Sequence, residues 1–205
     1  MDTRAQQLAD ALVAKWTAPA GVELMAAGAT VLGQIMGEGP LPVRDAAAVL
    51  GWPDEDVLRR FDAMDFRLEL NSKGDIAGAG LSLLPSAAHT VEINGTRYHG
   101  WCAMDVLMFP IVFGNSSPAA SRCAATGDRI HLTVTADGLK DLDPADTHVT
   151  LAPATGGEVR EVFCNRVNFY GSGAAAAAAA AADPDLAVCT AAEAWAVAKR
   201  LAALF

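Results

Sequence analysis

The spacing of the apolar residues changes near residue 85, and this change limits the folds open to the chain. Upstream, apolar residues recur every three or four positions over residues 2–16 and 22–36, which is the pattern of amphipathic helices. Downstream, stretches such as 129–135 alternate apolar and polar residues, as half-buried strands do. The sequence therefore predicts an α+β protein, with a helical N-terminal module over residues 1–85 and a sheet-based catalytic domain over residues 86–205.

The rest of the N-terminal module has the pattern of two helices followed by a hairpin. Residues 42–50 and 54–64 are predicted helices separated by a turn, and residues 66–70 and 76–84 are predicted strands. Helices followed by a hairpin are typical of a winged helix. We therefore predict a winged-helix-like module packed on the second domain.

Many winged helices bind DNA, and Arg59 and Arg60 lie in the helix that would enter the groove. Phosphate contacts require a stripe of basic side chains. Here the two arginines are surrounded by acidic residues, namely Asp54, Glu55, Asp56 and Asp62. The pattern favours a module that covers the catalytic domain over one that binds nucleic acid.

The second half predicts a mixed β-sheet with flanking helices. Asn94 and Gly95 predict a tight hairpin within residues 90–99, and a helix at 100–109 is expected to be ended or kinked by Pro110. The remaining predicted elements are strands at 129–135, 147–151, 159–170 and 186–189, a polyalanine helix at 174–182, and a final helix with a capping box at Thr190 and Glu193.

The bulk composition indicates a folded protein with a small or basic partner. Of 205 residues, 52% are hydrophobic, which is enough for a substantial core. The net charge of -9 disfavours nucleic-acid binding. No run of about eighteen uninterrupted apolar residues predicts a membrane span, and the N-terminal residues lack a secretory apolar segment. We therefore expect a cytoplasmic protein without a membrane partner.

The four cysteines are too widely spaced for a typical zinc site. Cys102, Cys123, Cys164 and Cys189 include no short-spaced pair, and reducing cytosol disfavours disulfides. Each cysteine is therefore either a small buried residue or a reactive thiol. Cys189 lies in a predicted buried strand, and we interpret it as structural.

Two cysteines have neighbours that indicate chemistry. Cys102 and Asp105 are three residues apart in a predicted helix, so thiol and carboxyl share one face as a nucleophile beside a proton donor. Cys164 is predicted to lie on the polar face of the strand at 159–170. The Arg166 guanidinium on that face would favour its thiolate.

Three ordered segments carry a family resemblance. They are Trp101-Cys102-Ala103-Met104-Asp105 with the following Met108-Phe109-Pro110, residues 121–127 around Cys123, and residues 159–169 around Cys164. Together they resemble the catalytic segments of the organomercurial (alkylmercury) lyases. The sequence departs from the family pattern at His99, where a phenol is frequent, and at Asn168, where a histidine is common.

The resemblance implies protonolysis of the carbon–mercury bond of an organomercurial. Cys102 and Cys164 would be the mercury-binding thiols, Asp105 the proton-handling carboxyl and third metal-site residue, and Cys123 a structural residue. No organic cofactor is implied. The mercuric ion would remain as bound product until free thiols or a partner mercuric reductase removed it.

The residue types agree with that chemistry, and two alternatives stay open. Thiolates are the ligands that compete best for soft mercury, and a carboxyl with a raised pKa can deliver a proton to the leaving carbon. One alternative is a family member recruited to another thiol-dependent reaction on a small metabolite. The other is a non-catalytic heavy-metal binder. Asp105 discriminates against the binder, because sequestration needs no proton donor.

Overall fold

Four helices form the first part of the chain, as the apolar spacing predicts. The computed structural model describes residues 1–85, 88–114 and 116–205 and confirms the α+β fold class. α1 begins where the Asp2 carboxylate accepts the Ala5 N–H at 2.8 Å, which caps the helix. The helices are α1 (Thr3–Thr17), α2 (Pro19–Glu38), α3 (Val43–Leu50) and α4 (Asp54–Ala63).

Eight strands form one large sheet. Their order is β1-β2-β3-β5-β4-β6-β7-β8, and every pairing in the described chain is antiparallel. The expectation of a mixed sheet is therefore wrong, because tight turns such as that at Asn94 and Gly95 can join only antiparallel neighbours. The strands are β1 (Glu69–Leu70), β2 (Ile76–Ala79), β3 (Leu81–Ser82), β4 (His89–Ile93), β5 (Thr96–Gly100), β6 (Ser117–Arg122), β7 (Arg129–Thr135) and β8 (Gly138–Asp143).

A smaller sheet and the last helices complete the fold. Its three strands have the order β10-β9-β11, again antiparallel. The predicted capping box is confirmed, since Thr190 and Glu193 bond reciprocally at the start of the last helix. The elements are β9 (His148–Leu151), α6 (Val159–Val162), β10 (Phe169–Tyr170), α7 (Gly173–Ala182), β11 (Ala187–Thr190) and α8 (Ala191–Ala202), with α5 (Ala103–Val112) between β5 and β6.

The predicted strand at 159–170 is wrong except for its last two residues. The Glu158 carboxylate accepts the N–H groups of Arg160 and Glu161 and so starts the short helix α6. A 3-10 helix over Cys164–Arg166 follows directly. The two helical turns bury Val159, Phe163, Cys164 and Val167, which are spaced as on a helix face and do not alternate. Apolar periodicity over so few residues does not separate a strand from short helical turns.

Helix α5 lies at the centre of the core. Its residues 103–110 are all buried, which is expected of a helix that is apolar on every side. It packs against α8 and against β4 and β7 of the large sheet. The helix continues through Pro110 to Val112, so Pro110 does not end it. The alternative expectation, that Pro110 kinks the helix, stays a prediction.

The N-terminal module shares the large sheet with the second half of the chain. β3 pairs with β5, with Leu81 opposite Gly100. The Val159 N–H also donates to the Asp65 carbonyl at 2.8 Å. These contacts fix the module against the segment that carries Cys164. The domain boundary at residue 85 lies next to residues 86 and 87, which are outside the described chain, and it stays a prediction. The winged-helix topology also stays a prediction.

Within the described residues, α2 is the one helix long and apolar enough to cross a membrane by length and composition alone. Core helices of globular proteins have the same property. The face of α2 that carries Leu24, Val31, Leu32 and Ile35 is buried in the core of the protein. The expected absence of a membrane span stays a prediction.

Gly80 allows β2, β3 and α5 to approach closely. Its φ is +86°, and a Cβ there would lie 2.8 Å from Phe109 Cε2 and 3.3 Å from Asp105 Oδ1. Gly74 has a φ of +85° but open space around its Cβ position. The two glycines therefore have the same backbone requirement in different surroundings.

We expect Gly80→Ala to destabilise the protein more than Gly74→Ala. Both variants incur a left-handed backbone cost of about 1–2 kcal/mol. Only Gly80→Ala adds an overpacking cost of about 1–3 kcal/mol, because Phe109 must move. Urea denaturation of both variants measures the difference. Equal losses of unfolding free energy would contradict the close approach at Gly80.

Candidate active site

Cys102 and Asp105 are held at the first turn of α5. Cys102 is the N-cap residue, and its N–H donates to Asp105 Oδ2 at 2.8 Å. The Asp105 N–H in turn faces the Cys102 sulfur, which completes a capping box. The three-residue spacing thus places thiol and carboxyl side by side, as the sequence predicts.

Cys164, on the 3-10 turn Cys164–Arg166, lies beside Cys102 and Asp105. The Ala103 N–H donates to the Val167 carbonyl at 3.0 Å, which fixes the start of α5 against the turn that carries Cys164. The Cys102 and Cys164 sulfurs and a carboxylate oxygen of Asp105 all lie within 4.8 Å of one another. The structure therefore brings together all three residues that the sequence singles out.

The surroundings of Cys164 differ from the prediction. Its side chain is buried, with 5% of the residue exposed, rather than placed on a polar strand face. Arg166 does not pair with the Cys164 thiol, because its guanidinium binds the Asp183 carboxylate at 2.7 Å. The prediction that Arg166 favours the Cys164 thiolate is wrong, since the 3-10 turn directs the two side chains apart.

Burial acts to raise the pKa of each of the three acidic groups. It raises the pKa of Asp105 to about 7, against smaller opposing effects of hydrogen bonds with Cys102 and of the Arg160 charge. Burial likewise raises the pKa of Cys102 well above its usual value. The hydrogen bond with Cys102 acts to lower the pKa of Cys164, but burial and the charge of Asp105 outweigh it and leave this pKa raised.

Such a cluster is suited to a soft cation. Water solvates the three groups poorly, which disfavours their charged forms while the site is empty. A metal ion replaces the protons of these groups and supplies the missing positive charge. Two sulfurs and one carboxylate oxygen form a donor set that favours soft metals over magnesium or calcium.

Arg160 and Trp101 connect the cluster to the N-terminal module. The Arg160 guanidinium lies 4.4 Å from the centre of a Trp101 ring and 3.5 Å from the Glu69 carboxylate. The Trp101 Nε1–H donates to the same carboxylate at 3.0 Å. Glu69 on β1 thus holds both side chains beside the thiols.

Cys164 lies between two pockets of opposite character. The first, the apolar pocket, has a volume of about 650 Å³ including the solvent at its mouth. Asp105 and Cys164 form part of its wall. Apolar side chains from both halves of the chain line the rest, including Leu12, Trp16, Met25, Met104 and Phe109.

The second pocket, the polar pocket, has a volume of about 610 Å³. Its lining includes Glu69, His89, His99, Arg160, Cys164 and Asn168. The Asn168 amide donates to the Asn165 carbonyl at 3.2 Å, beside Cys164. The two positions where the sequence departs from the family pattern, His99 and Asn168, therefore both line this pocket.

Sequence reasoning missed His89. Its ring nitrogen Nδ1 lies 2.8 Å from Ser121 Oγ, and its ring lies against Phe169 with centroids 5.9 Å apart. Burial lowers the pKa of His89 to about 4 despite a hydrogen bond with Asn168 that raises it. A neutral His89 imidazole thus packs against Phe169 and bonds with Asn168, in the segment that follows Cys164. The only sequence signal for this role is a lone histidine in a strand.

The other two cysteines lie outside the cluster. The Cys189 thiol donates to the Val149 carbonyl at 3.4 Å within the small sheet. Cys123 is buried beside the turn at residues 125–127. Burial acts to raise the pKa of Cys123, but hydrogen bonds from Gly171 and Thr126 outweigh it and lower this pKa.

Comparison with known proteins identifies relatives of this chain. The family model described as "MerB: Alkylmercury lyase" matches residues 81–203. An alkylmercury lyase of Staphylococcus epidermidis is 34% identical over 174 residues, covering 84% of this chain and 80% of that protein. One from Streptomyces lividans is 30% identical over 204 residues, covering 98% and 94%.

The fold has a solved counterpart. A crystal structure described as the mercury-bound form of MerB2 superposes with a TM-score of 0.78. The match covers 99% of both chains at 20% sequence identity, so it supports the fold. The family match and the curated relatives define the protein as an enzyme of the lyase class. The family match and the curated relatives are specific, and the chain belongs to the alkylmercury lyase family.

We expect Asp105→Asn to stabilise the protein at high pH. Between about pH 4 and about pH 7 the unfolded chain loses the Asp105 proton while the folded chain keeps it, so the unfolding free energy of the natural protein falls as pH rises. Asparagine has no proton to lose. The variant should gain up to about 4 kcal/mol over the natural protein near pH 8 and almost nothing near pH 4.

Denaturant titrations at both pH values measure this effect. Asp183→Asn is the matched control, because the Arg166 hydrogen bond lowers the pKa of Asp183 and the substitution should destabilise the protein at high pH. If Asp105→Asn were destabilising to the same extent at both pH values, Asp105 would not be a buried, protonated carboxyl.

Proposed function

We propose that this protein cleaves the carbon–mercury bond of organomercurials by protonolysis, with Cys102, Cys164 and Asp105 as catalytic residues. The observation that carries the proposal is the cluster of two thiols and a carboxyl within 4.8 Å of one another. The carboxyl pKa of about 7 means that both of its protonation states are accessible near neutral pH.

The first steps transfer protons while mercury gains sulfur ligands. One thiol binds the organomercurial cation as a thiolate, and the ionised Asp105 carboxylate accepts its proton. The second thiol then binds mercury and loses its proton to solvent. Two thiolate ligands increase electron density on mercury and give the attached carbon carbanion character.

The last step breaks the carbon–mercury bond. Asp105 returns its proton to the carbon, so the hydrocarbon leaves and the carboxylate is regenerated. Mercuric ion remains bound to Cys102 and Cys164. One organomercurial cation and two thiols thus give one hydrocarbon, one dithiolate-bound mercuric ion and one proton, with no organic cofactor.

The apolar pocket is the proposed site for the organic group. Asp105 and Cys164 form part of its wall, so a group seated there has its mercury-bound carbon beside the proton donor. Leu12 and Trp16 of α1 and Met25 of α2 close the pocket from the other side. We assign to the winged-helix-like module the role of covering this pocket and excluding water, which strengthens electrostatic effects at the site.

The bound product requires an acceptor. We propose that free thiols or a partner mercuric reductase take the mercuric ion, in the cytoplasm, where reduced thiols are abundant. All four cysteines are free thiols, in keeping with such a compartment.

The direct test incubates the protein with excess thiol and methylmercury or phenylmercury and measures methane or benzene. Cys102→Ser, Cys164→Ser and Asp105→Ala should each lower hydrocarbon release by about 100-fold or more, because each removes a mercury ligand or the proton donor. Cys189→Ser is the control and should retain release, since a serine hydroxyl can replace the bond to Val149.

The outcomes separate the alternatives. Absence of hydrocarbon from the natural protein would refute the proposed function. A protein that binds mercuric ion equally well with and without Asp105, and releases no hydrocarbon, would be the heavy-metal binder. An inactive Cys189→Ser variant would mean that the thiols are wrongly assigned.

The apolar pocket predicts a change in substrate range. Gly28 on α2 lines the pocket, and a Cβ added there meets open space. Gly28→Leu should therefore narrow the pocket without a clash. We expect kcat/KM for phenylmercury to fall at least about tenfold relative to that for methylmercury, because the larger group loses its space.

Gly33→Leu is the matched control for this substitution. Gly33 lies on the same helix, also with open space at its Cβ position, but does not line the pocket. Its ratio of phenylmercury to methylmercury activity should equal that of the natural protein. An unchanged ratio in Gly28→Leu would exclude the apolar pocket as the site of the organic group.

A further inference from the structure

A cationic pocket lies on the solvent face of the large sheet. This arginine pocket, defined by Arg97, Arg122, Arg129 and His131, has a volume of about 870 Å³ including open solvent. The chain has 24 acidic and only 15 basic residues, yet no carboxylate lines this pocket in the described part of the chain. The local charge is therefore opposite to that of the whole protein.

Two of the arginines face each other across neighbouring strands. Arg122 on β6 is the register partner of Arg129 on β7, and like charges in such a pair destabilise a sheet. Among the described residues, neither of them nor Arg97 forms an ion pair with a carboxylate, and Arg122 donates only to the Gly127 carbonyl at 3.0 Å. A bound anion would offset this repulsion.

Two acidic side chains are register partners of residues that line the arginine pocket. Glu92 lies opposite Arg97 on β4, and Asp143 lies opposite His131 on β8. Both lie outside the pocket lining, and neither forms an ion pair with the arginines in the described structure. The three guanidiniums therefore remain available to a ligand.

The arginine pocket leads to the polar pocket beside Cys164. Ala88 lines both pockets, and Thr90 of the arginine pocket is the register partner of His99 of the polar pocket. Arg97 and His99 lie on one face of β5, about 7 Å apart. A chain of three or four residues, at about 3.5 Å per residue, is long enough to extend from Arg97 past His99 into the polar pocket.

We propose that the two pockets together bind an anionic, peptide-sized thiol that removes the mercuric ion from the active site. This inference rests on the proposed function and names the chemistry of its product acceptor. The guanidiniums bind the carboxylates of the thiol, and the polar pocket admits its sulfur to Cys164. The organic group and the acceptor thus approach mercury from different sides.

The transfer is a ligand exchange without oxidation or reduction. Two incoming thiols form two sulfur–mercury bonds, and the bonds from mercury to the Cys102 and Cys164 sulfurs break. The two protons of the incoming thiols pass to the protein cysteines. The products are a mercuric dithiolate and the protonated, empty site.

The test begins with protein loaded with mercuric chloride, so that the measured step requires no carbon–mercury cleavage. Two peptide thiols are compared at equal thiolate concentration: acetyl-Cys-Gly-Asp-Asp-amide and acetyl-Cys-Gly-Asn-Asn-amide. They match in size and differ in charge. The rate of mercury transfer is followed by rapid desalting and mercury quantification. The acidic peptide should be about tenfold faster at low salt, and added salt should reduce its advantage.

The variants report the ratio of the two rates, so each protein is its own control. The ratio should fall towards one in Arg97→Gln and in Arg129→Gln. Arg44→Gln, which removes an exposed arginine of α3 that pairs with Asp45, should leave the ratio unchanged. The charge-reversed Arg97→Glu variant should prefer acetyl-Cys-Gly-Lys-Lys-amide.

Equal rates for the two peptides with the natural protein would overturn the inference, as would a preference that survives Arg97→Gln combined with Arg129→Gln. Neither result would bear on hydrocarbon release, which is measured separately with methylmercury. Conversely, a protein that transfers mercury with the predicted charge preference but releases no methane would retain the thiol site and lose the proposed catalytic function.

Discussion

The backbone hydrogen bond from the Ala103 N–H to the Val167 carbonyl joins the two segments on which the site depends. It fixes the first turn of α5 against the 3-10 turn of Cys164, and so brings two distant thiols to one carboxyl. All three groups are acids that are shielded from solvent, and burial acts to raise the pKa of each. A soft cation that binds the three groups replaces the protons that they carry and supplies positive charge in their place.

The cluster lies between an apolar pocket and a polar pocket. Apolar side chains from the N-terminal helices and α5 cover Asp105, and this burial raises its pKa to about 7. The opposite wall of Cys164 is polar and continues along the open sheet face to Arg97. The proposed organic group and the proposed acceptor thiol have opposite polarity, and the two walls of Cys164 differ in the same way.

The sequence predicted an element correctly where its pattern was long or specific, and failed where the pattern was short. Helices α1 and α2, the Asn94-Gly95 hairpin and the capping box at Thr190 have long or specific patterns, and the structure contains them. The stretch 159–170 has a short apolar pattern that fits both a strand and two helical turns, so the strand prediction there was wrong. Strands β6 and β8 carry too little alternation to be recognised.

The sequence by itself determined the residue types of the site, the Cys102–Asp105 spacing and the family resemblance, because these depend on local order along the chain. Only the tertiary structure decided that Cys164 is buried, that Arg166 binds Asp183 instead, and that Arg160 lies over Trp101. It alone also revealed His89 and the arginine pocket. Burial and charge pairing depend on contacts between residues far apart in sequence, and local patterns do not encode which of those contacts form.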